Sequence, residues 1–363
     1  ASSTQAGRFS GGIPPSTWVL MSIPYTLDNT AAGILSSQLS GQNPWVMYTY
    51  QNGQMIDYSQ QNNAFIVTRG LWFKTIVKSS SFNLDFGPGD LIGGSAYPVT
   101  VSTGWSLVGP PFHSEEASWT PVNTTAGSVG IRVYQYVHEA TAGWQLLNPS
   151  VERMKPFGGY AVYNGTGAPA TFTFVRGGPL SSYHEWQAGD GWYGVLAIGE
   201  TRLRIGQHRM ASAGEDGLDY PMPPPRPEAD ETPAHFPGNL WSDIRPTGSS
   251  EVLSWKVVID PRTASSIKFT DRMDIPEGFR IVVQGIPYLG PVDMTSKDSI
   301  ALPTTLQGVY TVTVLAGSAE AIAEKIMPRE PMILQNYPNP FNPTTSIRYQ
   351  IASESAVSLR IFN

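Results

Sequence analysis

The chain has 363 residues, of which 40% are hydrophobic and only 14% are charged, and its net charge is −6 at pH 7. A net negative charge does not suggest a basic surface that would bind nucleic acid or an anionic membrane. The absence of cysteine excludes disulfides, thiolate metal sites and cysteine nucleophiles. No apolar run approaches the ~20 residues that a membrane-spanning helix requires.

The composition also predicts the fold class. With 36 glycines and 31 prolines, the chain should contain many turns and few long helices. We therefore expect an all-β protein, divided into roughly two to four domains on length alone. Residues 1–13 are mostly small and polar and are expected to form a flexible arm. These residues lack the basic region followed by an apolar region that marks a signal peptide. This is the pattern expected of a mature N-terminus after the signal has been removed.

An internal duplication follows the arm. The segment Trp18-Val-Leu-Met-Ser-Ile-Pro-Tyr25 recurs as Trp105-Ser-Leu-Val-Gly-Pro-Pro-Phe112, at an offset of 87 residues (105 − 18). The Tyr48-Thr-Tyr50 triplet recurs as Tyr134-Gln-Tyr136, and Gly70-Leu-Trp-Phe recurs loosely as Gly159-Tyr-Ala-Val. The nearly constant spacing predicts two small β modules over residues 14–95 and 96–180.

Each module should contain short strands separated by turns. The candidate strands of the first copy are residues 18–23, 45–50, 64–67 and 71–77, and those of the second are 105–108, 131–137, 159–163 and 171–175.

The next segment, residues 181–317, is predicted to form a β-sandwich with immunoglobulin-like or jelly-roll connectivity. Its candidate strands are residues 192–197, 201–205, 252–259, 266–270, 279–283 and 308–315. A long loop from Gly206 ends in a polyproline-like run after Tyr220. Residues 318–327 are short and Ala-rich, which predicts a helix within a linker over residues 318–333.

The C-terminal stretch combines a proline-rich leader with alternating strands. Pro338, Pro340 and Pro343 make the leader stiff and non-helical. Two period-2 runs follow and predict a strand pair. Their apolar faces are Ile347, Tyr349 and Ile351 in the first run and Val357, Leu359 and Ile361 in the second.

The leader Tyr337-Pro-Asn-Pro-Phe-Asn-Pro343 with these strands resembles the start of the C-terminal sorting domain of type IX secretion cargo. The resemblance covers about residues 334–363, a partial β sorting domain. It implies export to the bacterial cell surface or the medium, with the secretion machinery as a partner. The duplicated tryptophan and tyrosine pattern is similar to β modules that precede such domains.

The predicted tail strands also suggest an interface. A two-stranded hairpin is marginal in water, and its apolar face needs a cover. If Asn363 is the end of the chain, this cover must come from the chain's own sandwich or from a neighbouring subunit by strand addition. Repeated head to tail, the second arrangement would produce a filament. The alternative is that further strands complete the domain.

The sequence contains few residue patterns that are typical of an enzyme active site. The five histidines are scattered, no Gly-x-Ser-x-Gly elbow occurs, and no closely spaced histidine pair suggests zinc. A carboxylate pair, Glu185 and Asp190, is conceivable for a glycosidase but is a common type of coincidence. We expect no enzyme and no cofactor, with calcium as a possible exception.

The calcium candidates are Glu215, Asp216 and Asp219, which form one acidic cluster around Gly217. The spacing does not match the regular twelve-residue calcium loop, and the alternative is that these acids cap turns. Asn123-Thr-Thr, Asn164-Gly-Thr and Asp298-Ser-Ile match glycan acceptor patterns, which occur often by chance.

The aromatic residues suggest a second function. Trp45, Trp144 and Trp192 lie near polar turns and are candidates for stacking on sugars, whereas Trp18, Trp72 and Trp105 lie in apolar strands and are expected in the core. The sequence therefore favours a secreted, non-catalytic structural protein that assembles with itself. The alternative is a glycan-binding or adhesive module of the cell surface.

Overall fold

The computed structural model describes residues 7–9, 11–27, 30–41, 44–51, 53–59, 65–121, 130–138, 143–180, 186–228, 233–248, 251–303, 308–327, 330–334, 336, 343–352 and 355–361. The described chain is all-β apart from two short helices, as predicted, and most of its strand pairs are antiparallel. It divides into two compact units. The first comprises Ala1–Asp190, Glu200–Arg202 and Met210–Thr232, and the second comprises Gly191–Gly199, Leu203–Arg209 and Pro233–Asn363.

The first copy of the duplication is built on a four-stranded antiparallel sheet with the order β1-β5-β3-β4. A short ladder of β2 and β6 and a helix, α1, complete it. Its elements are a 3-10 turn at Gly7–Phe9, β1 (Val19–Met21), β2 (Tyr25–Leu27), α1 (Ala31–Gln38), β3 (Trp45–Gln51), β4 (Gln54–Asp57), β5 (Leu71–Thr75) and β6 (Gly89–Leu91).

The second copy repeats this sheet with the order β8-β12-β10-β11 and adds a three-stranded sheet with the order β7-β13-β9. Its strands are β7 (Ala96–Val101), β8 (Gly104–Val108), β9 (Ala117–Thr120), β10 (Ile131–Val137), β11 (Gly143–Leu146), β12 (Tyr160–Asn164) and β13 (Ala170–Arg176). Each copy has its own cluster of buried apolar side chains.

The two four-stranded sheets agree in register as well as in order. Leu20 pairs with Trp72 in the first copy, and Leu107 pairs with Ala161 in the second. These partners are offset by 87 residues (107 − 20) and 89 residues (161 − 72), the spacing found in the sequence. Copy one nevertheless has α1 at the position where copy two has β9, so the second layers of the copies have diverged.

The copies exchange equivalent backbone hydrogen bonds. Gly159 N donates to Leu20 O at 3.0 Å, and its counterpart Gly70 N donates to Leu107 O at 3.1 Å. Flanking them is a second reciprocal pair, from Ser22 N to Phe157 O at 2.8 Å and from Gly109 N to Thr68 O at 3.0 Å. The contact is therefore pseudo-two-fold, and it joins both sheets at their strand ends.

Two non-glycine residues take left-handed backbone conformations beside this contact. They are Thr68, with φ of 72°, and its counterpart Phe157, with φ of 63°. Phe157 is fully buried and packs into the hydrophobic cluster of the other copy, where its ring contacts Tyr25 and Phe86. Packing of this kind can hold an unfavourable backbone conformation in place.

The second unit is a β-sandwich of two five-stranded sheets, β17-β15-β14-β19-β22 and β16-β18-β23-β20-β21. Trp192 of one sheet contacts Trp255 and Phe279 of the other, so the inner faces pack together. Its strands are β14 (Gly191–Ile198), β15 (Thr201–His208), β16 (Ala234–His235), β17 (Ser242–Pro246), β18 (Val252–Ile259), β19 (Ser266–Met273), β20 (Phe279–Gln284), β21 (Val292–Asp293), β22 (Ser299–Ala301) and β23 (Tyr310–Ser318). The choice between immunoglobulin-like and jelly-roll connectivity stays a prediction.

The predicted helix near residue 318 is present as α2 (Ala319–Ile326), with the Ser318 hydroxyl accepting a hydrogen bond from Ala321 N. Its buried residue Ile322 packs against Val282 and Leu315, so the helix lies on the sandwich instead of acting as a free linker. Neither this helix nor α1 has the length and apolar character of a membrane span among the described residues.

The structure differs from the local predictions at three places. Residues 65–67 of the predicted strand 64–67 are not a strand, and Ala64 lies outside the described residues. Helix α1 was not predicted, because its apolar residues give only a faint helical period. In the expected flexible arm, Phe9 and Ile13 are buried in the core of the first copy.

The junction between the copies predicts a strong intolerance of side chains at its two glycines. A Cβ at Gly70 would lie 2.9 Å from backbone atoms of Leu107 and Val108, and a Cβ at Gly159 would lie 2.7 Å from the Leu20 side chain. We expect Gly70→Ala and Gly159→Ala each to destabilise the first unit by about 1–3 kcal/mol, because the backbone must move apart.

Urea unfolding followed by tryptophan fluorescence measures this effect. The control is Gly93→Ala in the same unit, where a Cβ would meet no atom within 4 Å, and where we expect a change within about 0.5 kcal/mol. Equal midpoints for all three variants would show that the copies do not depend on this close approach.

Candidate functional site: the C-terminal tail and the proline strap

The C-terminal tail pairs differently from the prediction. Residues 349–350 form an antiparallel ladder, β25 (Tyr349–Gln350), with β24 (Met332–Ile333), and Leu334 N donates to Arg348 O at 2.8 Å. The predicted second strand at residues 357–361 is absent from the described tail, so the expected pairing of the two runs was wrong. A strand needs a partner backbone, and the segment before the leader takes that role. Residues 337–342 of the leader lie outside the described residues.

The apolar side chains of the tail face solvent. Tyr349, Val357, Leu359 and Ile361 expose between 46% and 80% of their surface, while Ile347 and Ile351 are half-buried. Met332 and Ile333 on the partner strand are exposed as well. Water is a poor environment for these apolar side chains, so the tail presents apolar surface available for contact.

One part of the tail lines a groove in the second unit. Leu334 and Gln350 border a cavity of about 490 Å³ together with the loop that follows β20, including Ile286 and Tyr288. The sandwich thus meets the tail at its paired segment. Residues 357–361 do not line this groove.

The three tryptophans predicted to stack on sugars are buried. Trp45, Trp144 and Trp192 expose only 9%, 7% and 3% of their surface. The Trp144 indole N–H donates to Pro224 O at 3.1 Å, and the Trp192 indole N–H donates to the Gln207 side chain at 3.0 Å. A sugar needs an open ring face, which these residues do not present.

The acidic loop uses its carboxylates to close turns. Asp216 accepts hydrogen bonds from the backbone N–H groups of Ser212 and Leu218, and Asp219 accepts one from Asp216 N at 3.0 Å. Glu215 is exposed. Within the described chain, no three acidic or histidine side chains lie close enough together to bind a metal ion. Asp216 and Asp219 thus cap turns, which is the alternative that the sequence offered. Calcium binding here stays a prediction.

The other candidate positions are dispersed. Asp190 caps a turn through a 2.9 Å hydrogen bond from Gln187 N, and Glu185 lies outside the described residues, as does Asn123. The Asn164 side chain is buried, and its amide donates to Val101 O and Ala168 O, which leaves it poorly placed to accept a glycan. Asp298 is exposed and forms an ion pair with Arg272.

Sequence reasoning missed the role of the long loop, residues 210–228, which we call the proline strap. It belongs to the first unit and contacts both copies of the duplication. In its middle, the Arg132 guanidinium lies 4.4 Å from the Tyr220 ring centroid and donates to Gly217 O. Further along, Pro224 O accepts the hydrogen bond from the buried Trp144.

The end of the strap is held by charged contacts. The Glu200 carboxylate accepts hydrogen bonds from Tyr136 at 3.1 Å and from Arg226 at 3.3 Å. Burial, and after it the nearby Glu200 charge, raises the pKa of Tyr136, so its hydroxyl remains a donor. Beyond Arg226, Glu228 accepts hydrogen bonds from the Lys74 ammonium at 2.9 Å and the Trp18 indole at 3.2 Å.

No protein-family model, curated protein or solved structure matches this chain.

The Arg132–Tyr220 contact predicts that the strap is part of the stable fold of the first unit. Removing the buried Tyr220 ring by Tyr220→Ala leaves a cavity and the Arg132 guanidinium without its aromatic partner. We expect a loss of about 3 kcal/mol in unfolding free energy and rapid protease cleavage within residues 210–228. Pro225→Ala, at an exposed position of the strap, is the control. Unchanged protease resistance in Tyr220→Ala would contradict the anchoring role of this ring.

Glu228 gives a pH-dependent prediction. The Lys74 hydrogen bond lowers the pKa of Glu228 below its ordinary value of 4.5. A depressed pKa stabilises the folded state above pH 4.5, and this contribution is lost as the pH falls through the folded-state pKa. Because the Glu228 side chain is 54% exposed, the contribution should stay below about 1 kcal/mol.

The test is thermal unfolding of Glu228→Gln against the unchanged chain. We expect a slightly lower Tm at pH 7 and no difference well below pH 4.5. Glu115→Gln removes the same charge from a longer ion pair, 3.5 Å to Arg176, and controls for net charge. A Tm difference that persists unchanged in acid would refute the ion-pair explanation.

Proposed function

We propose that this chain is a secreted, non-catalytic structural protein of an extracellular or cell-surface assembly, and that its tail joins neighbouring copies. The observation that carries the proposal is the exposure of Tyr349, Val357, Leu359 and Ile361 within one short segment. Burying these side chains against another copy would stabilise the contact by removing apolar surface from water.

Strand addition is the mode of contact that the tail supports best. The ladder of β24 and β25 is only two residues long on each strand, and residues 355–361 carry backbone groups that no described strand pairs. An edge of this kind can accept or donate a strand. If the tail of one copy binds a different surface on the next, the contact is heterologous and can extend into a filament.

Secretion is supported by the leader, whose residues 337–343 resemble those of type IX cargo. The proposed partners are thus the secretion machinery, through the leader, and further copies of the same chain. The non-catalytic part of the proposal rests on the sequence, in which the histidines and candidate acids form no recognisable catalytic pattern.

Sedimentation velocity and electron microscopy of the full chain over a range of concentrations test the assembly. We expect concentration-dependent association, reduced at least about tenfold in affinity by the double variant Leu359→Lys with Ile361→Lys, because two charges would enter an apolar contact. Ile76→Lys is the matched control, since Ile76 is 63% exposed but lies in the first unit. A chain that stays monomeric at every concentration, or a double variant that associates as strongly as the control, would refute the proposal.

A further inference from the structure

A second feature of the first unit, independent of the tail, is a groove of about 560 Å³ between the two copies. One wall is the end of β3 with the turn before β5, and the other is formed by the end of β7, the turn after it and β8. The lining residues that matter for chemistry are Tyr50, Thr68, Arg69, Thr100, Ser102 and Trp105. Pockets of this size commonly hold small molecules.

The pseudo-two-fold repeat supplies an internal comparison for this groove. The positions equivalent to Thr49 and Tyr50 of the groove are Gln135 and Tyr136 in the second copy. Arg8 covers both of these residues. The Arg8 guanidinium donates to the Gln135 side chain at 2.6 Å and to Tyr136 O at 2.7 Å. The chain's own N-terminal segment, through Arg8, therefore occupies a position next to the counterpart of the groove.

The same segment in the second copy runs elsewhere. Ser95, which is equivalent to Arg8 at the offset of 87 residues (95 − 8), has its carbonyl bonded to Arg176 N at 2.8 Å, so the chain continues into β7. Among the described residues, no side chain takes the place of Arg8 in the groove. The duplication thus leaves one of two equivalent positions open.

The open groove contains a cation, Arg69, that has no anionic partner among the residues the structure describes. Arg69 is half-buried, its guanidinium lies 5.6 Å from the Tyr58 ring centroid, and no carboxylate of the described chain pairs with it. The described residues that line the groove include no aspartate or glutamate. The counterpart of Arg69 in the other copy is Gly158, so the duplicated sequence has no charged residue at the equivalent position. A half-buried, unpaired guanidinium favours a ligand with a carboxylate or a similar anion.

The rest of the lining suits a polyhydroxylated ligand. Trp105 is half-exposed, and its ring is backed by Tyr134 at 5.2 Å and Tyr163 at 5.0 Å, which hold it in place. A fixed indole offers a flat apolar face to the C–H face of a sugar ring. The hydroxyls of Thr68, Thr100, Ser102 and Thr103 can donate and accept hydrogen bonds with sugar hydroxyls.

We propose that this groove binds an acidic saccharide, a short sugar chain that carries a carboxylate. Arg69 pairs with the carboxylate, and Trp105 packs against a sugar ring. The chain's net charge of −6 disfavours long polyanions such as nucleic acid, so a ligand with few charges fits best. Trp105, which the sequence predicts in the core, lines this groove, whereas Trp45, Trp144 and Trp192 are buried.

Isothermal titration of the full chain with trigalacturonate and with the neutral trisaccharide cellotriose tests this proposal. We expect the acidic sugar to bind at least about tenfold more tightly than the neutral one, with an affinity that falls as salt is added. Arg69→Gln should lower the affinity for trigalacturonate about tenfold and remove its salt dependence. Trp105→Phe, which keeps an aromatic ring against Tyr134 and Tyr163, should weaken binding by several-fold.

Lys78→Gln is the matched control, because Lys78 lies over the Phe82 ring as Arg69 lies over Tyr58 but is outside the groove. Its affinity should equal that of the unchanged chain, and circular dichroism should show the same fold for every variant. Equal binding of acidic and neutral sugars, no binding of trigalacturonate, or an affinity unchanged by Arg69→Gln would each overturn the proposal. None of these results depends on whether the tail mediates assembly.

Discussion

The first unit depends on the reciprocal backbone contact between its two copies. Gly70 and Gly159 each donate a hydrogen bond into the edge strand of the other copy, and neither position has room for a Cβ. This close approach fixes the copies around a pseudo-two-fold axis. It brings Trp72 of the first copy against Tyr136 and Trp144 of the second, at ring distances of 4.9 and 5.7 Å. Aromatic surface that a single module would expose is therefore buried by its duplicate.

The proline strap completes this burial. Prolines pre-set an extended conformation and so lose little conformational entropy when they are fixed on a surface. The strap is held in its middle by Arg132 and Tyr220 and at its end by Glu228 with Lys74 and Trp18. It thereby links parts of the two copies that the glycine contact does not reach. The same physics underlies recognition of proline-rich peptides by aromatic surfaces, although here both partners belong to one chain.

The open groove and the exposed tail are two surfaces that the chain's own described residues do not cover. At the junction, the N-terminal segment covers one of two equivalent positions and leaves Arg69 and Trp105 at the other. In the tail, a two-residue ladder leaves Val357, Leu359 and Ile361 in water. The two features differ in chemistry, since one offers a cation among hydroxyls and the other offers bare apolar side chains. They fit different partners, a sugar ligand and a further protein chain, as proposed for each.

The sequence by itself determined the all-β class, the strands with clear period-2 patterns and the spacing of the duplication. Strand β18 (Val252–Ile259) and strand β10 (Ile131–Val137) have the bounds that alternation predicts, because the side-chain period of a strand is a local property. Burial was not predictable in the same way. Trp45, Trp144 and Trp192 lie near polar turns but are buried, and Trp105 lies in an apolar strand but is half-exposed.

Only the tertiary structure decided which residues meet. The contact of Gly70 with Leu107, the path of the strap and the meeting of Arg69 with Trp105 in one groove all bring together residues that are distant in the chain. The tail shows the same limit, because Tyr349 pairs with Ile333 and not with the alternating run that follows it. Period and composition report which face of a strand is apolar. Which partner covers that face is fixed by the packing of the whole unit, and no local pattern encodes it.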